Sequence, residues 1–201
     1  MPATAALDQT PWTPPVQAVD RHAEDPSAHR LRLGHLAEGL ALRLGMAAGS
    51  ARLLRLAAPL HDIGELDVSD AAADDEPSNL HTRPLRGAAL LSGSSLPLFA
   101  LAAEIALHHR ERWDGNGYPR GLRGEAIPLS ARIVAVVDHF DALTLPGRYR
   151  PARADDRALA MLAEQAGGAF DPAIVATFIA HAPELIALRD RVNATRPGAR
   201  A

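Results

Sequence analysis

The sequence predicts an all-α fold, one compact multi-helix bundle interrupted by a glycine-rich loop. Three observations carry that expectation. Ala and Leu dominate the 47% of apolar residues, aromatics reach only 4%, and Val and Ile are sparse outside one short run. That mixture favours helix over strand. Apolar positions recur at three- and four-residue spacing along most of the chain, and Asp-Pro, Phe-Asp-Pro and Gly stand where such runs begin or end. At 201 residues there is room for one good-sized core.

Residues 1–19 carry Pro2, Pro11, Pro14 and Pro15 with little apolar periodicity, and read as a flexible arm whose Trp12 could dock on the body. Residues 20–192 form the expected domain, and 193–201 read as a frayed polar tail. The first helix is announced by Asp25-Pro26, an N-cap residue followed by proline at the first helical position. Leu33, Leu36, Leu40 and Leu44 continue it, and Gly45 reads as its C-cap. A second helix starts near Ser50 and ends at the turn His61-Asp62-Ile63-Gly64. Residues 67–78, acidic and Ala-rich, read as a loop or a poorly packed helix. A third helix is expected over 84–91 and a fourth over 97–109, followed by the Gly-rich loop 113–124. The fifth, 129–143, is apolar on most faces and should be the buried central helix. Its run 133–137 has strand propensity, but its neighbours continue a helical pattern. Helices near 155–165, Pro172–Ala180 and 183–192 complete the series, the middle one opened by Phe170-Asp171-Pro172.

A net charge of -3 argues against a nucleic-acid-binding surface. The chain has no cysteine, which excludes thiolate ligands, disulfides and thiol nucleophiles. No apolar run reaches the length of a membrane span and the start lacks a basic-then-apolar leader, so the expectation is a cytoplasmic protein with no membrane partner. Nine histidines are the compositional oddity, and they cluster.

Asp25 and His29 lie four apart, on one side of the first helix. His61 and Asp62 end the second, His81 precedes the third, and His108 and His109 end the fourth. Asp138 sits in the middle of the apolar fifth helix, where a lone carboxylate is costly. Each has an ordinary alternative. Asp25 is a good N-cap, an adjacent His-Asp pair can cap a helix, and His81 can be a surface residue. A histidine pair suits the negative end of a helix dipole, and Asp138 could pair with an arginine such as Arg132. Taken together, imidazole plus carboxylate without sulfur suits iron, manganese, nickel or zinc. Two such ions about 3.5–4 Å apart would clamp a phosphodiester for in-line attack.

The stretch His61-Asp62-Ile63-Gly64 resembles the signature of the HD superfamily of metal-dependent phosphohydrolases. Arg112-Trp113-Asp114-Gly115-Asn116-Gly117-Tyr118-Pro119-Arg120-Gly121-Leu122 resembles the defining loop of its HD-GYP subfamily. The likeness continues through Gly124-Glu125-Ala126-Ile127-Pro128-Leu129, Arg132 to Asp138, Phe140-Asp141-Ala142-Leu143-Thr144 and Phe170-Asp171-Pro172, covering roughly 25–178. The resemblance implies an HD-domain bundle and a phosphodiesterase for cyclic di-GMP or a related nucleotide, with two or three divalent ions, commonly iron or manganese. It implies His29, His61, Asp62, His81, His108, His109 and Asp138 as metal ligands, with Asp62 bridging two ions as the catalytic carboxylate. Asp25 falls where three-metal members carry a glutamate. Tyr118 would stack on substrate, Arg148 and Arg150 would grip its phosphates, and the GYP loop could also meet a protein partner.

The sequence also departs from that pattern. Glu65 stands where the family carries a lysine, and the connector from Asp62 to His81 is short. Counted back from Trp113, His109 takes the first position of the histidine pair and Arg110 the second. One residue is about 100° on a helix, so His108 and His109 cannot both keep the family's directions without a bulge. Arg110 would either replace a ligand with a fixed charge, contact phosphate, or pack along the helix end. In Gly147-Arg148-Tyr149-Arg150 the first family arginine is missing from its own position. His139 reads as a packing residue. These changes leave open an alternative: a degenerate module that binds a protein or cyclic di-GMP without turning it over.

Overall fold

In the computed structural model, residues 26–65, 77–145 and 151–195 are described, and they form an all-α bundle. The helices are α1 (Pro26–Arg43), α2 (Ala48–Ala57), α3 (Pro77–Leu91), α4 (Pro97–His108), α5 (Leu129–Thr144), α6 (Asp155–Glu164), α7 (Pro172–Ala180) and α8 (Ala182–Ala194). Among the described residues the expected order and type of the helices hold, while the arm 1–19 and nearly all of the segment 67–78 lie outside them. Among the described residues, no single helix is long and apolar enough to cross a membrane.

Helix α1 packs against α2, α5 and α8, while α3 and α4 pair and α4 leans on α2 and α5. The leucines that announced α1 do bury: Leu33, Leu36 and Leu40 are fully enclosed, and Leu44 packs at the edge of the same cluster. Gly45 ends the helix at φ +82°, with the Met46 amide reaching back to the Ala41 carbonyl at 3.0 Å. Only glycine takes that backbone region without a steric cost. Helix α5 buries Ile133, Val134, Val136, Val137 and Phe140, so the run with strand propensity is helical, tertiary packing overriding local preference.

Two boundaries differ from expectation. Helix α3 begins at Pro77 rather than near residue 84, and Pro84 lies inside it. A buried proline ring is held there by packing, against the usual preference for a helix start. His81 is therefore on the helix instead of ahead of it. Helix α8 runs through Ala194, past the expected start of the tail, and Asn193 gains a structural role described below.

After α2 the chain tightens into a 3-10 turn over Ala58–Leu60, passes His61 and Asp62, and makes a second such turn over Ile63–Glu65. Gly64 brings this corner onto α3. A Cβ there would run into the Arg83 carbonyl and come within 2.7 Å of the Gly87 amide nitrogen. The glycine-rich loop is tied on three sides. The Glu111 carboxylate accepts from the amides of Arg120 (2.8 Å) and Leu122 (2.9 Å). Trp113 and Asp114 donate to the carbonyls of Ala169 and Gly168. Gly117 lies against the Glu111–Arg112 backbone, where a side chain would not fit.

Gly64→Ala is expected to lose roughly 1–3 kcal/mol of stability, because neither neighbour of the new methyl is a side chain that can swing away. Gly49→Ala, a helical position with open space around it, should gain about 0.5–1 kcal/mol. Urea denaturation of the two variants measures both, and equal midpoints would contradict the packing assigned to Gly64.

Candidate metal centre

The bundle brings five of the expected residues together from four places in the chain. Helix α1 supplies His29, the corner after α2 supplies His61 and Asp62, the end of α4 supplies His109, and α5 supplies Asp138. Their donor atoms form two overlapping groups, His29 with His61 and Asp138, and His61 with Asp62 and His109. Within each, the ligand atoms lie inside 4.8 Å of one another. His29 Nε2 is 3.4 Å from Asp138 Oδ1, and His61 Nε2 is 3.0 Å from Asp62 Oδ2 and 3.7 Å from Asp138 Oδ1. His109 Nε2 is 3.1 Å from Asp62 Oδ1.

The far side of each ring fixes what its near side can do. His61 Nδ1 lies 3.1 Å from the Ala58 carbonyl, and His109 Nδ1 lies 3.1 Å from the carbonyls of both Ile105 and Ala106. A carbonyl only accepts, so those Nδ1 atoms carry the proton. His29 Nδ1 lies 2.8 Å from Asp141 Oδ2, a carboxylate that also takes Arg32 Nε at 2.8 Å and Nη2 at 3.1 Å. In its neutral form each ring then turns the lone pair of Nε2 inward, toward carboxylate oxygens. Acceptor facing acceptor is repulsive, and a shared cation converts it to attraction. Nitrogen and oxygen donors with Nδ1 anchored behind them fit a divalent metal ion.

Among the described residues, the anchor behind His29 is the most deeply buried charge pair. Arg32 and Asp141 are both fully buried, and Arg32 Nη1 also donates to Asn193 Oδ1 of α8 at 3.0 Å. Neither residue was singled out from the sequence. The signal was present: Asp141 lies one turn from Asp138 in the same apolar helix, and the argument about buried carboxylates applies to it equally. Arg132, offered as an alternative partner for Asp138, instead binds Asp171 at 2.6 Å and the Ile127 carbonyl at 2.9 Å, locking the start of α7. His139 is buried with its ring 5.0 Å from Phe170, a packing position.

The remaining expected ligands lie apart. His108 is buried on the other side of α4, 3.9 Å from Glu111 Oε1, as the 100° step from His109 requires. His81 is exposed on α3 and stacks on Tyr118 with centroids 4.4 Å apart and planes 10° from parallel. Neither joins the two donor groups. Arg110 continues from His109 and places Nη2 3.0 Å from Asp62 Oδ1. Asp25, Arg148 and Arg150 lie outside the described residues.

Comparison with known proteins follows the same lines. A model of the HD domain family matches residues 15–174. A cyclic di-GMP phosphodiesterase response regulator of Xanthomonas campestris is 43% identical over 166 residues, spanning 79% of this chain and 44% of the relative. A 3'3'-cGAMP-specific phosphodiesterase of Vibrio cholerae is 34% identical over 180 residues, 86% of this chain and 34% of the relative. The chain thus spans less than half the length of these relatives. Among solved structures, a cyclic GMP-AMP specific phosphodiesterase of V. cholerae superposes with a TM-score of 0.63 at 19% identity, over 84% of this chain and 49% of that one. An HDG"Y"P protein from Bdellovibrio bacteriovorus superposes at 0.59 with 21% identity, over 84% and 53%. At these identities the structures bear on the fold alone.

Arg32→Met is expected to cost about 3–5 kcal/mol, since it leaves the Asp141 carboxylate buried without its guanidinium. Denaturant midpoints measure this, and a loss below 1 kcal/mol would contradict the assigned burial. A second expectation concerns acid. Burial pushes the His108 imidazole below its ordinary value, with Glu111 pulling more weakly the other way. The unfolded chain then takes up this proton first, so His108 removes stability as pH falls below about 6.5. His108→Gln should lose less stability than the parent between pH 7.5 and 5.5, and an equal loss in both would contradict this.

Proposed function

The chain belongs to the HD domain family, and from that premise we propose that it is a metal-dependent phosphodiesterase of HD-GYP type for cyclic di-GMP or a related cyclic dinucleotide. The observation that carries this reading is the inward turn of three Nε2 atoms onto two carboxylates, each ring anchored from behind. The ligands of iron or manganese, which match a nitrogen and oxygen donor set without sulfur, would come from among His29, His61, His109, Asp62 and Asp138. When bound, such an ion supplies Lewis acidity toward a phosphoryl oxygen and lowers the pKa of a coordinated water.

The chain's own residues do the rest. Asp62 faces His61 with one oxygen and His109 with the other, which suits the catalytic bridging role the resemblance gave it. The Tyr118 amide donates to the Arg110 carbonyl at 3.2 Å, tying the GYP loop to the residue that touches Asp62. With that tether, and with His81 stacked against it, the Tyr118 ring would stack on a nucleobase of the substrate. Arg148 and Arg150 would add positive charge for the substrate's phosphates. A second reading, a module that binds nucleotide or a protein partner through the loop without turnover, is favoured by one feature, the carboxylate of Glu65, which lies 3.9 Å from Arg110 at the edge of the cluster.

Hydrolysis of cyclic di-GMP and of 3'3'-cGAMP, assayed anaerobically with Fe(II) or Mn(II), separates the two readings. The enzyme reading expects turnover that falls on the order of 100-fold or more in Asp62→Ala, with helical circular dichroism retained. Binding with no turnover in the parent protein would favour the module. Turnover that survives Asp62→Ala would put the site elsewhere.

A further inference from the structure

Asp62 divides its oxygens between two kinds of neighbour. Oδ2 faces His61 Nε2 at 3.0 Å, within reach of the donor group that includes His29 and Asp138. Oδ1 faces His109 Nε2 at 3.1 Å and Arg110 Nη2 at 3.0 Å. The second donor group thus already has a cation against the carboxylate oxygen it would use. A guanidinium does not lose its proton in a protein, so this charge is permanent. The Arg110 side chain is only 11% exposed, which limits how far solvent screens it.

The surrounding charges agree with one divalent ion rather than two. Asp62, Asp138 and Glu65 bring three negative charges, and Arg83 and Arg110 bring two positive ones, Glu65 Oε1 lying 3.4 Å from Arg83 and 3.9 Å from Arg110. One dication already carries that balance past neutrality, and a second would sit against the Arg110 guanidinium in a part-buried cluster. Glu65 is accounted for in the same way. With a guanidinium delivered from α4, a carboxylate at the end of the corner neutralises it, where a lysine would have added a further like charge.

We infer that Arg110 itself supplies the second cation of this centre, and that the chain binds a single divalent ion through His29, His61 and Asp138, with Asp62 bridging from that ion to the guanidinium. This rests on the reading of the cluster as a metal centre. A guanidinium in that place can hold an anionic phosphoryl oxygen through paired N–H groups, but it cannot activate water as a metal ion does.

The test is a count of ions per folded chain, made by mass spectrometry on protein equilibrated anaerobically with Mn(II) and freed of loosely held metal. The expected result is one ion in the parent protein, one in Arg110→Lys, two in Arg110→His, none in His29→Ala and one in His109→Ala. Two ions in the parent would overturn the inference while leaving the metal centre intact. No ion in any of them would overturn both. One ion in Arg110→His, with its helical content unchanged, would also overturn the inference, since removing the guanidinium would then not have opened the second place. The parent count stands without any variant, so a poorly folding substitution does not remove the test.

Discussion

The centre depends on where three imidazoles place their Nδ1 protons. His61 and His109 give theirs to backbone carbonyls of their own turns, and His29 gives its proton to Asp141. Once those bonds are made, Nε2 of each ring in its neutral form is an acceptor aimed at carboxylate oxygens, an arrangement that a cation held between them would make attractive. The helices matter because they set these bonds. The 3-10 turn before His61 brings the Ala58 carbonyl under its ring, and the last turn of α4 does the same for His109 with Ile105 and Ala106. Ordinary helix-end geometry would thus prepare the proposed metal chemistry.

Supporting such a cluster inside a bundle is costly, and the protein concentrates the support in α1 and α5. Residues one turn apart on each helix do different jobs: His29 and Asp138 face the centre, while Arg32 and Asp141 form the fully buried pair behind it. A buried ion pair offers little net stability against an apolar substitute, but it has a definite geometry. Here that geometry orients the His29 ring, and Asn193 of α8 fixes the guanidinium from the other side. The glycine-rich loop is held by a different device. Glu111 binds two loop amides, and His109 and Arg110 directly precede it just past the end of α4, so the loop and the centre share one helix end.

Much of this was legible in the sequence. The helical spacing of leucines placed α1, and the apolar faces of α5 marked it as central despite a run with strand propensity. The meeting of His29, His61, Asp62, His109 and Asp138 was readable as an expectation because types that bind metal recurred at helix ends and, for Asp138, inside an apolar helix, within a family-like pattern. What failed did so for physical reasons. Pro84 looked like a helix start, but a buried ring inside α3 overrode that preference, and His81 moved onto the helix with it. His108 and His109 look equivalent as a pair of letters, yet a single residue turns the side chain by about 100°, and only His109 faces inward. Arg32 and Asp141 are far apart in sequence, and no local pattern announces a pair that forms only when α1 meets α5.

The claim that inward Nε2 atoms ligate a cation is tested most directly by X-ray absorption at the metal edge of the iron- or manganese-loaded protein. Imidazole rings bound through nitrogen give a characteristic multiple-scattering pattern, and the account predicts that pattern with nitrogen and oxygen alone in the coordination sphere. A sphere of oxygen without imidazole scattering would contradict it, because the rings would then be facing the carboxylates for some other reason.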